Sequence, residues 1–373
     1  MKVGVAAIFK NEYPYILEWI AYHKSIGIDK FYIADNTSDD GSTELLEALD
    51  DVGLITRIPY PRIEGQAPQA PAYNHIIQNY GDEVDILGFI DADEFIVSEG
   101  DLKENLIAFC SDDNYGAMGL NWKVFGSNDD FFGSEGLVIE RFTRHAKFDY
   151  DSNRHIKTFL KPKFVKKMNI HECLLRKGKY CTSSNTDADF DESGARTIKT
   201  SHANVFVNHY VVKSRVEHFI NKRKKGSAAG LASREKGISY FIGHDENYEV
   251  SEFPSVLIGN IKATIETIKH QLMTNSSFME LGKGHVDVNT TTNVVSGWVT
   301  GNKKTPAFIT LLVDNKEYKI AVNRQRQDVL RKGLSSELVC GFSFSSGPKL
   351  AGKDIAAKIY GSIQELNVNI HAG

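Results

Sequence analysis

The run Ile86-Leu-Gly-Phe-Ile-Asp-Ala-Asp-Glu-Phe-Ile96 constrains the fold of this chain more than any other segment. An apolar stretch leads directly into two carboxylates, Asp91 and Asp93. A continuous apolar run of this kind reads as a strand covered on both faces. In an open α/β sheet, ligands sit in the crevice beyond the carboxyl ends of such strands. Two acids placed there cost free energy unless a cation neutralises them. A hard divalent ion that also holds a diphosphate would do so, because oxygen ligands suit magnesium and manganese. A strand end capped by solvated acids is the plainer alternative. Asp-x-Asp recurs at Asp149/Asp151, Asp187/Asp189 and Asp189/Asp191, but no apolar strand precedes those copies.

Strands and helices alternate around this run. Residues 3–8, 31–34 and 54–58 read as strands. Asn11 is expected to cap a helix over 11–26, with Pro14 in its first turn and Gly27 as its stop. Tyr73, Ile76, Ile77 and Tyr80 mark another helix, and Asp101 with Glu104 forms a capping box for one over 102–110. This alternation predicts an α/β fold, Rossmann-like, with a mainly parallel sheet covered on both faces. Residues 116–212 are polar, aromatic and irregular, the pattern of functional loops. Ser214 and Glu217 form a second capping box, opening a basic helix over 214–228. A helix over 254–273 follows. Short strands at 294–300, 308–313, 317–322, 340–344 and 355–360, with one short helix at 328–334, predict a small all-β sandwich. The expected division is an α/β domain over 1–250, a helical linker over 251–279 and a β-sandwich over 280–373.

A net charge of −4 over 373 residues gives no basic excess, so no nucleic-acid partner is expected. The four cysteines lack C-x-x-C spacing, so neither a zinc ribbon nor a disulfide framework is indicated and a reducing, cytoplasmic setting is the simplest expectation. The opening residues are too short an apolar run for a signal peptide, and no stretch reaches the ~18 apolar residues of a membrane span. Any membrane contact would be peripheral, and Lys157, Lys161, Lys163, Lys166, Lys167 and the run Lys222-Arg-Lys-Lys225 could face an anionic membrane or an acidic acceptor. Such runs more often form a solvated face.

Several side chains carry candidate chemistry. Asp35 ends the second strand and either accepts hydrogen bonds from a base or ribose or simply forms a turn. Gln69 and Asn74 are placed to reach a nucleotide. In His209-Tyr-Val-Val-Lys213-Ser, the imidazole suits a third metal ligand and Lys213 a phosphate contact. A core histidine before a capped surface helix fits the same residues. His171-Glu172 offers a base for taking a proton from a hydroxyl, or a satisfied surface pair. A zinc site from His171, Cys173, Cys181 and His209 matches no regular spacing.

Lys10-Asn-Glu12, Glu18-Trp-Ile-Ala-Tyr-His23, Phe31-Tyr-Ile-Ala-Asp-Asn36, Asp91-Ala-Asp-Glu-Phe95, His171-Glu172 and His209-Tyr with Lys213-Ser occur in that order within residues 1–230. Together they resemble glycosyltransferase family 92 and its bacterial family-2-like relatives. The resemblance implies a GT-A fold, a UDP-sugar or other nucleotide-sugar donor, and Mn2+ or Mg2+. It implies sugar transfer with inversion to a glycan or glycolipid hydroxyl, in bacterial relatives during surface polysaccharide synthesis. Asp91 and Asp93 become the metal motif, His209 completes the metal shell and Lys213 contacts the diphosphate. Inversion requires a carboxylate base, for which Glu172 is the first choice and Asp187, Asp189 and Asp191 are rivals. The C-terminal segment with Gly297-Trp298 and Gly341-Phe342 resembles a β-domain appended to some bacterial glycosyltransferases, where glycan binding or homo-oligomer assembly are both open. Two other readings remain. A sugar nucleotidyltransferase would normally carry a Gly-rich basic loop after its first strand, where this chain has Phe9-Lys-Asn-Glu12. A non-catalytic glycan-binding protein built on 280–373 would leave the α/β half without a purpose.

Overall fold

A computed structural model of the chain describes residues 1–38, 40–131, 133–134, 136–219, 236–274, 282–301, 305–306, 308–314, 316–345, 349–359 and 365–371. The basic run 222–225 and most of the helix expected over 214–228 lie outside the described residues.

Four parallel strands form one side of the main sheet: β1 (Val3–Phe9), β2 (Lys30–Asp35), β3 (Thr56–Pro59) and β4 (Ile86–Phe89). Helices α1 (Ile16–Ser25), α2 (Ser42–Asp51) and α3 (Gln69–Tyr80) connect them. Every residue of β1 and β4 is buried, as expected for strands covered on both faces. α1 begins later than expected. Asn11 sits at φ +52, and the N–H groups of Asn11, Glu12 and Tyr13 donate to Ser38 Oγ, Ser42 Oγ and Asp40 Oδ2. The loop after β2 thus holds these residues in an irregular approach, and Asn11 caps no helix.

The stretch expected to be irregular instead contributes four of the nine described strands of the sheet, Tyr115–Val124, Ile156–Leu160, Lys179–Thr182 and Val205–His209. β5 (Glu94–Ser98), α4 (Leu102–Ser111) and the long β6 (Tyr115–Val124) are followed by the single turn α5 (Val138–Arg141) and β7 (Arg144–His145). Then come β8 (Ile156–Leu160), the hairpin of β9 (Val165–Met168) with β10 (Cys173–Leu175), β11 (Lys179–Thr182) and β12 (Val205–His209). The strand order is β3-β2-β1-β4-β8-β6-β12-β5, with β11 also on β6. β8 runs antiparallel to both β4 and β6. Polar residues inside β6 and β8, Asn121 and Lys157 among them, disguise these strands in the sequence; both side chains are buried. Gly88 is required where β4 meets β8, because a Cβ there would lie 2.1 Å from the Phe159 ring.

The turn α6 (Arg215–Glu217), α7 (Ile238–Ile242), β13 (Glu249–Val250) and α8 (Ser255–Thr274) complete this half. The helix expected to be a linker over 251–279 is part of the core. Ile261, Ile265, Ile268 and Leu272 of α8 recur at helical spacing and pack in the same cluster as Trp19 and Ile20 of α1.

The C-terminal strands are β14 (Gly282–Asn289), β15 (Val294–Gly301), β16 (Phe308–Val313), β17 (Lys316–Ala321), β18 (Arg324–Gln325), β19 (Val339–Ser345), β20 (Ile355–Ile359) and β21 (Asn367–His371), with α9 (Gln327–Arg331) between β18 and β19. They form two sheets, β18-β19-β15-β14-β21 and β17-β16-β20. Val286, Val295 and Phe342 from one sheet and Leu311, Ile320 and Ala357 from the other share one core, which makes this a β-sandwich. Among the described residues, no helix is long and apolar enough to cross a membrane.

Because Ile261 is fully buried in the core, Ile261→Ala is expected to lower unfolding free energy by about 2–5 kcal/mol in urea titrations. An unchanged midpoint would mean that α8 is the independent connector first expected.

Candidate active site

The aspartate turn lies at the carboxyl end of β4, between Phe89 and the start of β5 at Glu94. Its backbone is tied from three directions. The Trp19 indole N–H donates to the carbonyls of Asp91 (3.2 Å) and Glu94 (2.9 Å). The Glu94 carboxylate accepts the Asp91 N–H at 2.7 Å. The Tyr210 N–H, just past β12, donates to the Asp93 carbonyl at 2.8 Å. Helix α1 and strands β5 and β12 therefore set where both aspartates point.

The Asp91 carboxylate is heavily engaged. Oδ2 receives the Lys157 ammonium at 2.7 Å, and Oδ1 receives the Gln69 amide at 2.7 Å and the Tyr73 hydroxyl at 3.3 Å. Lys157 is wholly buried and lies 3.4 Å from Glu94 Oε2 as well. Burial pushes the Asp91 carboxyl up, but the ammonium more than offsets this and holds it below the ordinary carboxylate range. Glu94 goes the other way: burial pushes it up to about 8 despite the same ammonium. Gln69 and Tyr73 lie one turn apart on α3, so this helix face steadies Asp91, and Gln69 acts through Asp91. Asn74 ties α3 to the Met168 backbone instead of reaching the site. Lys157 and Lys161, read in the sequence as surface charges, are both buried; the Lys161 ammonium donates to the Asp112 carbonyl at 2.8 Å. The signal for Lys157 was a single lysine inside the strand-like Ile156-Lys-Thr-Phe-Leu160.

Asp93 faces His209, the last residue of β12, with Oδ1 and Nε2 3.6 Å apart. The ring of Trp122, near the end of β6, lies 4.3 Å from His209, 5.5 Å from His171 and stacks on His155 at 4.8 Å. This aromatic wall beside the aspartates was not foreseen. Among the described residues, no group of three or more His, Cys, Asp or Glu side chains is arranged to hold a metal ion. Asp93 with His209 is a two-donor arrangement. It fits a magnesium- or manganese-like ion, which takes one or two protein ligands and fills its shell with water and phosphate oxygens.

Lys213 lies just beyond β12 at φ +54, a strained conformation for lysine. Its ammonium sits 4.2 Å from the centre of the Tyr15 ring. The capping box expected at Ser214 and Glu217 is present. Nearby, buried Glu18 accepts the N–H groups of Val138 (2.8 Å) and Ile139 (3.2 Å). Burial pushes Glu18 up to about 7, with these hydrogen bonds, Arg141 and Lys213 opposing.

Asp35 is placed at the end of β2 as expected, but it is saturated: Arg57 Nε (2.9 Å) and Nη2 (2.8 Å) and the Thr43 hydroxyl (3.0 Å) surround it. Glu172 is half-buried, and its Oε1 accepts from the Asn169 amide at 2.8 Å. Its neighbour His171 docks on β8, with Nδ1 3.1 Å from the Ile156 carbonyl and its own carbonyl accepting the Thr158 hydroxyl at 2.6 Å. Burial and then Lys157 push His171 down to about 4, so the ring is neutral at neutral pH, with the proton on Nδ1. Asp187 binds Lys179 and the Tyr115 hydroxyl at the opposite end of β6, which is ~20 Å of strand from Asn121. Asp191 is neutralised by Arg154 at 3.3 Å and Arg196 at 3.7 Å, and Asp189 is exposed. The structure gathers Asp91, Asp93, His209, Gln69 and His171 and sets Asp35 apart.

Lys157→Met strips the buried counter-charge from half-buried Asp91 and buried Glu94, so it is expected to cost about 3–5 kcal/mol in urea titrations. Adding Glu94→Gln should recover part of that loss. Glu18 predicts a pH effect. Its folded form binds the proton more tightly than the ordinary 4.5 allows, so its stabilisation is full below pH 4.5 and is lost as pH rises through about 7. Glu18→Gln is expected to flatten that decline in urea midpoints read between pH 4.5 and 8.

The sequence profile of glycosyltransferase family 92 matches residues 2–229. A family 92 protein of Arabidopsis thaliana is 27% identical over 180 residues, covering 45% of this chain and 30% of its own length. One from Oryza sativa subsp. japonica is 33% identical over 93 residues, covering 25% of this chain and 15% of its own. The chain thus spans less than a third of the length of these relatives. Among solved structures, S. aureus TarS aligns over all of this chain and 78% of its own, at 10% identity and a TM-score of 0.31. Glucosyl-3-phosphoglycerate synthase from Mycobacterium tuberculosis, in complex with Mn2+, UDP-glucose and phosphoglyceric acid, aligns over 44% of this chain and 58% of its own, at 11% identity and a TM-score of 0.27. With the family profile covering well over half of its residues, this chain belongs to glycosyltransferase family 92.

Proposed function

We propose that this chain is a metal-dependent, inverting glycosyltransferase that moves a sugar from a UDP-sugar to a hydroxyl of a glycan or glycolipid in polysaccharide synthesis. The observation that carries this reading is the rigid aspartate turn at the end of β4, with Asp93 and His209 3.6 Å apart. Asp93 and His209 would hold Mn2+ or Mg2+. Such an ion supplies charge neutralisation for a leaving diphosphate. Asp91, clamped by Lys157 and Gln69, presents a fixed carboxylate edge to the donor. Lys213 adds positive charge on the diphosphate side, electrostatic help of the kind that usually dominates such reactions. Glu172 takes the proton from the acceptor hydroxyl as that oxygen attacks the anomeric carbon. Among the four carboxylate candidates, Glu172 and Asp189 have no ion-pair partner among the described residues, and only Glu172 is half-buried beside His171 on β8. The four unpaired cysteines suit a cytoplasmic setting, and the exposed Lys163, Lys166 and Lys167 suit peripheral contact with an anionic membrane face.

The nucleotidyltransferase reading loses ground on the loop after β1. A phosphate loop needs free backbone N–H groups, and those of Asn11, Glu12 and Tyr13 are taken by Ser38, Ser42 and Asp40.

Incubation with UDP-sugars and Mn2+ should release UDP, whereas a nucleotidyltransferase would consume a nucleoside triphosphate and release pyrophosphate. Asp93→Ala is expected to abolish transfer with an unchanged melting temperature; full retained activity refutes the metal assignment. Glu172→Gln should lower kcat by roughly 10²–10⁴-fold with donor affinity intact. If donor affinity collapses and turnover holds, Glu172 is not the base.

A further inference from the structure

The turn after Lys213 is bound to both halves of the chain. Glu217 of α6 is 2% exposed. Its carboxylate takes a two-pronged salt bridge from Arg141, at 2.9 Å on Oε1 and 3.0 Å on Oε2. It also accepts the Ser214 hydroxyl at 2.6 Å and the Tyr15 hydroxyl at 3.2 Å. A second cation arrives from the β-sandwich. Lys319 of β17 brings its ammonium to 3.6 Å from Glu217 Oε1, with its side chain 7% exposed and its Nζ 4.2 Å from the centre of the Phe308 ring. Gly133 closes over the same cluster at φ +89, and a Cβ there would lie 2.9 Å from Lys319 Nζ, 3.1 Å from Glu217 Oε2 and 3.2 Å from Ser214 Oγ. The backbone therefore approaches this closely only because the residue is glycine.

The energetics make this more than a chance touch. Burial alone would raise Glu217; Arg141 and Lys319 outweigh it and hold the carboxyl far below its usual range. Lys319 gives up solvent and side-chain entropy to sit there, and burial pushes its ammonium down to about 8. Beside the contact lies an open cleft of about 390 Å³ bordered by Ser134, Tyr318 and Phe344. The ion contact thus ties the halves here without a continuous apolar seal.

Glu217 leads directly to Lys213. Its Oε2 accepts the Ser214 N–H at 3.4 Å, and the Tyr15 ring that bonds its Oε1 carries the Lys213 ammonium on its face. A lysine at positive φ keeps that conformation only where its surroundings enforce it.

We propose that the β-sandwich is a positioning element for the donor: Lys319 balances Glu217, and Glu217 in turn fixes Lys213 over Tyr15 for the diphosphate. This rests on the reading of Lys213 as a diphosphate contact. Lys319 is a positioning residue supplied by the β-sandwich.

The test uses the full chain. UDP affinity is measured by calorimetry with Mn2+ present, and donor and acceptor KM by UDP release. Lys319→Met keeps side-chain length and removes the charge; it is expected to weaken UDP binding and raise donor KM by about fivefold or more, leaving acceptor KM within about twofold. Lys319→Arg should restore most of the loss. The Lys213→Ala/Lys319→Met pair should bind UDP no more weakly than Lys213→Ala alone. Unchanged UDP affinity in Lys319→Met overturns the proposal. So does additivity in the pair, or an equal loss in Met and Arg variants that extends to the acceptor. If Lys213→Ala itself leaves UDP affinity intact, the diphosphate reading fails and takes the proposal with it, an outcome visible without any change at Lys319.

Discussion

A buried ammonium between two carboxylates governs the site end of the sheet. Lys157 lies on an antiparallel strand inserted between β4 and β6, 2.7 Å from Asp91 and 3.4 Å from Glu94. Without it, the turn from β4 to β5 would place unbalanced negative charge in a desolvated sheet, and the Coulomb energy of such charges rises steeply as the effective dielectric falls. With it, Asp91 stays ionised and Glu94 shares the proton and the cation. The arrangement also divides labour between the two aspartates. Asp91 has its counter-ion within the fold, while Asp93 faces His209 at 3.6 Å.

What could be read from the residues follows from how local each signal is. The strand ending in Asp91 was legible because its apolar run is continuous over neighbouring residues. The caps at Asp101 and Ser214 were legible because a capping box spans three residues; Asp101 accepts the Glu104 N–H at 2.9 Å, and the Ser214 hydroxyl accepts that of Glu217 at 3.2 Å. The α/β-then-β-sandwich order came from counting such segments. Strands β6 and β8 were hidden because their buried polar residues are satisfied by distant partners: Asn121 by Thr197 and Arg154, and Lys157 by Asp91. α8 was mistaken for a connector because its apolar face makes sense only against α1. The same limit applies to Asp35, whose position at a strand end was readable but whose Arg57 partner, on β3, was not.

The polar residues around the turn sort by what they bond. Trp19, Gln69 and Tyr73 bond to the backbone or to Asp91 and spend their hydrogen-bonding capacity on geometry. Asp91, Asp93 and Glu172 form an outer layer, each with part of its surface open to solvent, and Lys213 is buried. Groups held by packing and by a second layer of hydrogen bonds are what a precise site requires. His171 spans both layers. Its backbone is fixed to β8, and its neutral ring leaves Nε2 as an acceptor next to Trp122 and Glu172.

The two internal cation sites, Lys157 under Asp91 and Arg141 with Lys319 around Glu217, share one logic. Each sets a carboxylate that holds a backbone turn: Glu94 accepts the Asp91 N–H, and Glu217 accepts the Ser214 N–H. In both places the turn carries the residue that faces the proposed ligand, Asp93 in one and Lys213 in the other. Glu94, raised to about 8, holds its turn largely as the neutral acid, whereas hydrogen bonds to a charged group are roughly twice as strong as neutral ones, so the ionised Glu217 pins its turn more tightly. Keeping that carboxylate ionised in a desolvated place demands a permanent nearby cation, and lysine or arginine provides one independent of what is bound. These internal ion contacts shape both turns, and in the proposed reaction donor and metal would meet Asp93 and Lys213 on turns that are already set.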